Sequence, residues 1–149
     1  MATLEVQGLI DAICEMQEAI ATPAGESPIK HAYDEFIGVA LEFPCFLNLE
    51  ESIDDIQVSG SHRHMEHRVS MHLLFSGDQK YATRSRRKWV QPVLDYFQGN
   101  TKLERHVQNV SLSRLERVSF EPYPINDVEH VAATFELFVR VDDGFGAGA

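Results

Sequence analysis

The sequence lacks the short motifs that mark common enzyme active sites. It contains no G-x-S-x-G, P-loop, G-x-G-x-x-G or H-E-x-x-H pattern, so it indicates neither a hydrolase nucleophile nor a nucleotide site nor a zinc-protease helix. The neighbouring carboxylates Asp142 and Asp143 adjoin a glycine-rich tail and are interpreted as solvated. We therefore expect no catalytic residues, no cofactor and no enzymatic activity.

Cysteine and long apolar runs are also scarce. The two cysteines, Cys14 and Cys45, show no C-x-x-C spacing and are interpreted as buried apolar residues in a reducing compartment. The longest apolar stretch, residues 36–47, is too short to span a bilayer, and the first ten residues do not read as a signal peptide. We expect a soluble, intracellular protein with no membrane contact, in which residues 36–47 either complete the core or pack against a partner.

Basic residues are few, with 13 Lys and Arg against 23 Asp and Glu and a net charge of −10. This balance argues against a groove that grips nucleic acid, because phosphate binding needs a basic surface. The one cationic cluster, here called the basic run, consists of Arg84, Arg86, Arg87 and Lys88. The acidic run consists of Glu50, Glu51, Asp54 and Asp55. The basic run is either a solvated helix face, a contact for the acidic run within one chain or between chains, or a nucleic-acid contact.

Apolar periodicity predicts one α+β domain over residues 1–143 and a flexible tail over residues 144–149. We expect a mostly antiparallel sheet of four strands, or slightly more, flanked by two main helices in the order α-β-β-α-β-β. The predicted helices cover about residues 4–20 and 79–98. The predicted strands cover residues 45–49 (opened by Pro44), 63–75, 110–120 and 131–141, and the acidic segment 50–61 is predicted to be an exposed loop.

Two side-chain patterns on the predicted strands concern binding. His62, His64 and His67 form H-x-H-x-x-H, but His67 points to the opposite side of a strand from the other two, so we predict no metal site there. Phe138 falls on the polar face of the last strand and is a candidate contact with a partner.

The order of elements resembles a known family. A strand ends at Ser76-Gly77-Asp78 and leads into a helix with Trp89 near its middle, and two final strands are joined by Pro122-Tyr123-Pro124, the last reading F-E-L-F-V-R-V. With the amphipathic first helix and the strand opened by Pro44, these features resemble the tail terminator (tail completion, minor tail protein U-like) proteins of long-tailed bacteriophages. The resemblance spans about residues 4–142 and rests on order, length and pattern.

The resemblance implies a structural virion protein that forms a hexameric ring. Such a ring caps the tail tube, ends tube polymerisation and offers a docking surface to the head-completion or neck connector protein, while genomic DNA passes through the lumen without specific binding. The implied location is the virion, with assembly in the host cytoplasm. The alternatives are another neck or tail component (a head-tail connector, a stopper or a tube protein) and an unrelated small ligand-binding α+β domain. Short strands would disfavour a tube protein, which needs long sheet-forming edges.

Overall fold

The computed structural model describes residues 6–34, 41–59, 62–76, 79–101, 103 and 110–144. Two helices and seven strands follow one another along these residues: α1 Val6–Glu18, β1 His31–Tyr33, β2 Cys45–Ser59, β3 His62–Leu74, α2 Gln79–Gly99, β4 Val110–Ser119, β5 Tyr123–Ile125, β6 Val128–His130 and β7 Ala132–Gly144. Apart from Gly144, the predicted tail lies outside the described residues.

The predicted α+β class with two main helices is confirmed, but the sheet differs from the expected one. Five strands form a mixed sheet in the order β1-β2-β3-β7-β4, and β5 and β6 form a separate two-stranded hairpin. Three neighbouring pairs are antiparallel, whereas β1 runs parallel to the start of β2. Strands β1, β5 and β6 have three residues each, too few to show an alternating pattern in the sequence.

The prediction of an exposed loop over residues 50–61 is wrong, because the acidic run lies inside β2. This strand continues to Ser59 and pairs with β3 through most of its length, from Cys45 opposite Leu74 to Ser59 opposite His62. A register shift between Glu50 and Ser52 bends the strand where the acidic run begins. The predicted strand over residues 45–49 is thus only the first third of β2, which forms a long hairpin with β3.

Both helices pack on one face of the sheet, and the apolar parity of β3 and β7 explains this arrangement. Alternate residues of the two strands, such as Met71 on β3 and Phe135 on β7, are fully buried against the helices. Trp89 and Phe97 of α2 are buried in the same core, whereas Tyr81 near the start of α2 is 69% exposed. Helical and strand periodicity therefore predicted most of this core.

A buried pair of amides joins α1 to β2. Gln17 Nε2 donates to Asn48 Oδ1 at 2.7 Å, and Asn48 Nδ2 donates to Gln17 Oε1 at 2.8 Å. The Asn48 amide also donates to the carbonyl of Tyr33 at 3.1 Å, and both amide side chains are completely buried. Each amide nitrogen and oxygen of this pair thus has a hydrogen-bond partner. These hydrogen bonds fix the position of α1 over the sheet.

A smaller apolar cluster lies on the opposite face of the sheet, near the start of β2 and β7. Its buried members are Cys45, Leu47, Leu74 and Ala132, and the partly buried residues packed against them are Tyr33, Leu41, Phe43, Tyr123 and Ile125. The β5–β6 hairpin covers this end of the face. Leu41 and Phe43 therefore complete a core, while residues 36–40 of the apolar stretch lie outside the described residues.

Candidate subunit interface

The first half of α2 faces the β5–β6 hairpin across an open cleft of about 600 Å³, here called the basic cleft. Its helical wall carries Lys80, Arg84, Arg86 and Arg87, and its other wall carries Pro122, Glu129, His130 and Val131. Lys88 is not part of the cleft but pairs with Glu26 at 3.4 Å. The structure therefore brings three members of the basic run together with Lys80 and separates the fourth.

Arg86 is the fixed member of the basic cleft. Its Nη1 donates to the carbonyls of Phe120 and Ala132 at 3.2 and 3.3 Å, and its guanidinium lies 5.0 Å from the centre of the Phe120 ring. Burial and the neighbouring positive charge of Arg87 lower the pKa of Arg86. By contrast, Arg84 and Arg87 are exposed and form no ion pair with a described residue. Two cations with no ion pair to a described residue thus line the cleft, across from Glu129.

An apolar hollow of about 300 Å³ adjoins the basic cleft and shares Arg86 and Arg87 with it. Val90 and Phe120 complete its lining. Half of the Phe120 surface is exposed, an unusual position for a large aromatic side chain. The two depressions together offer positive charge beside an apolar floor.

The acidic run is exposed on the free part of β2. Strand β1 pairs with only residues 45–47 of β2, so no described strand pairs with the outer edge beyond them. Ile53, in the middle of the acidic run, is 42% exposed. The register places Glu50 opposite Val69 and Asp55 opposite Met65 on β3.

Distance separates the acidic run from the basic cleft within one chain. Leu74 of β3 pairs with Ala132, whose carbonyl is bound by Arg86, and Val69 lies five residues from Leu74. At roughly 3.3 Å per residue the acidic run starts about 17 Å along the sheet from the cleft. Burial and the negative charge of Glu51 raise the pKa of Tyr123 in the hairpin.

The prediction that Phe138 is an exposed contact is wrong, because only 4% of its surface is accessible. The guanidinium of Arg68 lies 5.4 Å from the ring centre, and that of Arg114 lies 4.2 Å from it. Glu116 approaches both cations, at 3.5 and 3.9 Å. Long side chains from the two flanking strands therefore cover the ring on the polar face of the sheet and stabilise it by cation–π contact.

The histidines of β3 make separate contacts. His64 Nδ1 lies 2.6 Å from Asp142 Oδ1, and its Nε2 contacts Arg140. His67 is buried on the helix side, which lowers its pKa, and His72 Nδ1 lies 2.8 Å from Thr134 Oγ1 on the other side. Within the described part of the chain, no group of three or more His, Cys, Asp or Glu side chains is arranged to hold a metal ion.

Sequence reasoning missed several residues of this surface. Lys80 lies four residues before Arg84, so helical spacing could have placed it on the face of the basic run. Phe120 and His130 could not be found in this way, because the fold brings them to Arg86 and Arg87 from more than thirty residues away. Ile53 was not identified from the sequence, because it lies among acidic residues in a segment that was predicted to be a loop.

Comparison with protein-family models and with curated proteins finds no match to the chain. In the described helices, no segment is both long enough and apolar enough to cross a membrane. The function of the chain is therefore inferred from the surface described above.

Proposed function

We propose that the chain is a tail terminator subunit of a long-tailed bacteriophage. It forms a hexameric ring that caps the tail tube, ends tube polymerisation and provides the docking surface for the head-completion or neck protein. The protein acts in the virion after assembly in the host cytoplasm. One observation carries the proposal: the subunit exposes an acidic run and a basic cleft that are complementary in charge but separated within the chain.

A closed ring of identical subunits needs such a pair of unlike surfaces. In a cyclic assembly larger than a dimer, each subunit uses one patch to contact its neighbour on one side and a different patch for the other side. The acidic run and the basic cleft meet this requirement. The five-stranded sheet also ends in two different strands, the free part of β2 and the strand β4, which provide further unlike edges.

The polar face of the sheet is compatible with passage of DNA. Arginines of this face lie beside carboxylates: Arg68 and Arg114 share Glu116, and Arg117 lies 3.7 Å from Glu136. Arginines paired in this way attract phosphate less strongly, and the net charge of −10 opposes binding further. A lumen lined by such a face would let a polyanion slide without specific binding.

A tube protein is the second candidate, and the lengths of the strands favour it. Strands β2, β3 and β7 have 15, 13 and 13 residues, so the expectation of short strands is wrong. Long strands at an open edge can extend a sheet into the next subunit. A connector, a stopper and a small ligand-binding domain remain further alternatives.

Electron microscopy and mass photometry of the purified chain over a range of concentrations test the proposal. A terminator should form discrete six-fold rings and should stop at one ring when protein is added in excess. A tube protein should instead form stacked rings or filaments of variable length. Monomers at every concentration, together with no ring of this chain in purified virions, would overturn the assignment.

A further inference from the structure

The basic cleft and the hollow beside it are complementary to a ligand with an apolar centre and negative flanks. Val90 and Phe120 form the apolar floor, and Arg84 and Arg87 stand beside it with no described ion pair. Arg86 is already held by two backbone carbonyls, so it shapes the wall and keeps its charge in place. A small anion alone would leave the exposed Phe120 ring uncovered.

The free part of β2 offers the matching ridge. Its register with β3 places Glu50, Ile53 and Asp55 on one face of the strand, opposite Val69, His67 and Met65 respectively. Ile53 is 42% exposed and lies between these carboxylates, so it could be covered by an apolar surface of a partner. The same chain therefore carries both an anionic ridge with an apolar centre and a cationic cleft with an apolar floor.

We infer that Ile53 of one copy inserts between Val90 and Phe120 of the next copy, while the neighbouring carboxylates bind Arg84 and Arg87. The inference rests on the proposed ring and names the contact that closes it. Ile53 supplies the buried centre, and the charges around it select the partner and fix its orientation. The occupant is thus a second copy of this chain.

Charge reversal in two halves tests the contact. Arg84→Glu with Arg87→Glu reverses the cleft, and Glu50→Lys with Asp55→Lys reverses the ridge, whose carboxylates share a face with Ile53. Each double variant alone should raise the concentration for half-maximal ring formation by at least about tenfold, because like charges then meet at every contact. An equimolar mixture should restore rings in which the two variants alternate, since each reversed surface then meets an opposite charge. Native mass spectrometry should show equal numbers of both.

Two matched controls separate this contact from general effects. Lys30→Glu with Lys88→Glu changes the net charge by the same amount as the cleft variant but lies outside the cleft and should leave assembly unchanged. Ile53→Asp should abolish rings, whereas Val128→Asp, at another exposed aliphatic residue of a strand, should not. Circular dichroism of each variant confirms that it is folded.

The outcomes distinguish the contact from the ring. If the wild-type chain forms rings and either reversed variant does so equally well, the ring stands and this contact is overturned. Failure of the folded variants to assemble when mixed also overturns it. If wild-type protein forms no ring at all, the result contradicts the proposed function itself and not only this contact. Binding of a fluorescent DNA oligonucleotide that is lost in the cleft variant while its rings persist would assign the cleft to phosphates instead.

Discussion

Gln17→Leu tests whether the buried amide pair holds α1 on the sheet. The substitution removes both hydrogen bonds between Gln17 and Asn48 and leaves Asn48 Oδ1 buried without a donor, while Asn48 Nδ2 keeps the carbonyl of Tyr33. One buried polar atom left without a partner costs about 1–3 kcal/mol. We expect the free energy of unfolding to fall by that amount.

Urea unfolding followed by the fluorescence of Trp89 measures this loss. With a denaturant slope of about 2 kcal/mol/M, a loss of about 2 kcal/mol lowers the unfolding midpoint by about 1 M and leaves the slope unchanged. Gln7→Leu is the matched control, because Gln7 lies on the same helix but its hydrogen bonds to Asp11 and Asp34 are exposed. That variant should change the free energy of unfolding by less than about 0.5 kcal/mol.

A double-mutant cycle with Asn48→Leu isolates the pair. Once one amide is gone, removing the other should cost less, so the two single losses should exceed the loss in the double variant by about 0.5–3 kcal/mol. Equal midpoints for Gln17→Leu and Gln7→Leu, or additive losses in the cycle, would refute the argument that the amides act as a unit.

The remaining predictions concern histidine protonation, thiol reactivity and one arginine. Burial lowers the pKa of His67 and His72 below 6.5, so their contribution to stability is complete above pH 6.5 and is lost as the pH falls from there through the lowered values. Unfolding measured against pH should show this decrease, and His67→Gln should flatten it. Burial raises the pKa of Cys14 and Cys45 to about 12, so a thiol reagent should label neither in the native protein and both after unfolding; rapid native labelling would contradict this. Arg86→Lys loses part of the contact with two carbonyls, which should lower the free energy of unfolding by about 1 kcal/mol and the melting temperature by a few degrees in calorimetry. An unchanged melting temperature would show that these contacts do not hold Arg86 in place.

The helices and the inner faces of β3 and β7 could be predicted because their information is local. Apolar residues recur every three to four positions in α1 and α2 and at every second position in β3 and β7. Each pattern names the buried side without reference to any other element. Trp89 in α2 and Phe135 in β7 lie on these buried sides.

The second half of β2 could not be predicted in this way, because its strand depends on a partner. Glu, Asp and Ser have low strand propensity, and this segment forms a strand through pairing with β3 across the hairpin. The burial of Phe138 has a similar cause. Arg68 and Arg114 cover it from neighbouring strands, and their positions depend on a register that the sequence alone does not give.

The candidate interface was predicted in part. Charge clustering alone identified the basic and acidic runs, since a cluster of like charges can be read from the sequence without knowledge of the fold. Which members act together depends on the orientation of α2, which turns Lys88 toward Glu26 and Lys80 toward the hairpin. The apolar residues of the proposed contact, Ile53 and Phe120, were identified only from the exposure of their side chains in the structure.

Trp89 is the only tryptophan in the chain, and it is completely enclosed by its own subunit. Its emission therefore depends on whether that subunit is folded and should be indifferent to whether neighbours have docked. Trp89 emission and light scattering, recorded from one cuvette, can then report folding and association as separate signals. A variant that loses only the light-scattering signal is still folded but no longer associates with its neighbours.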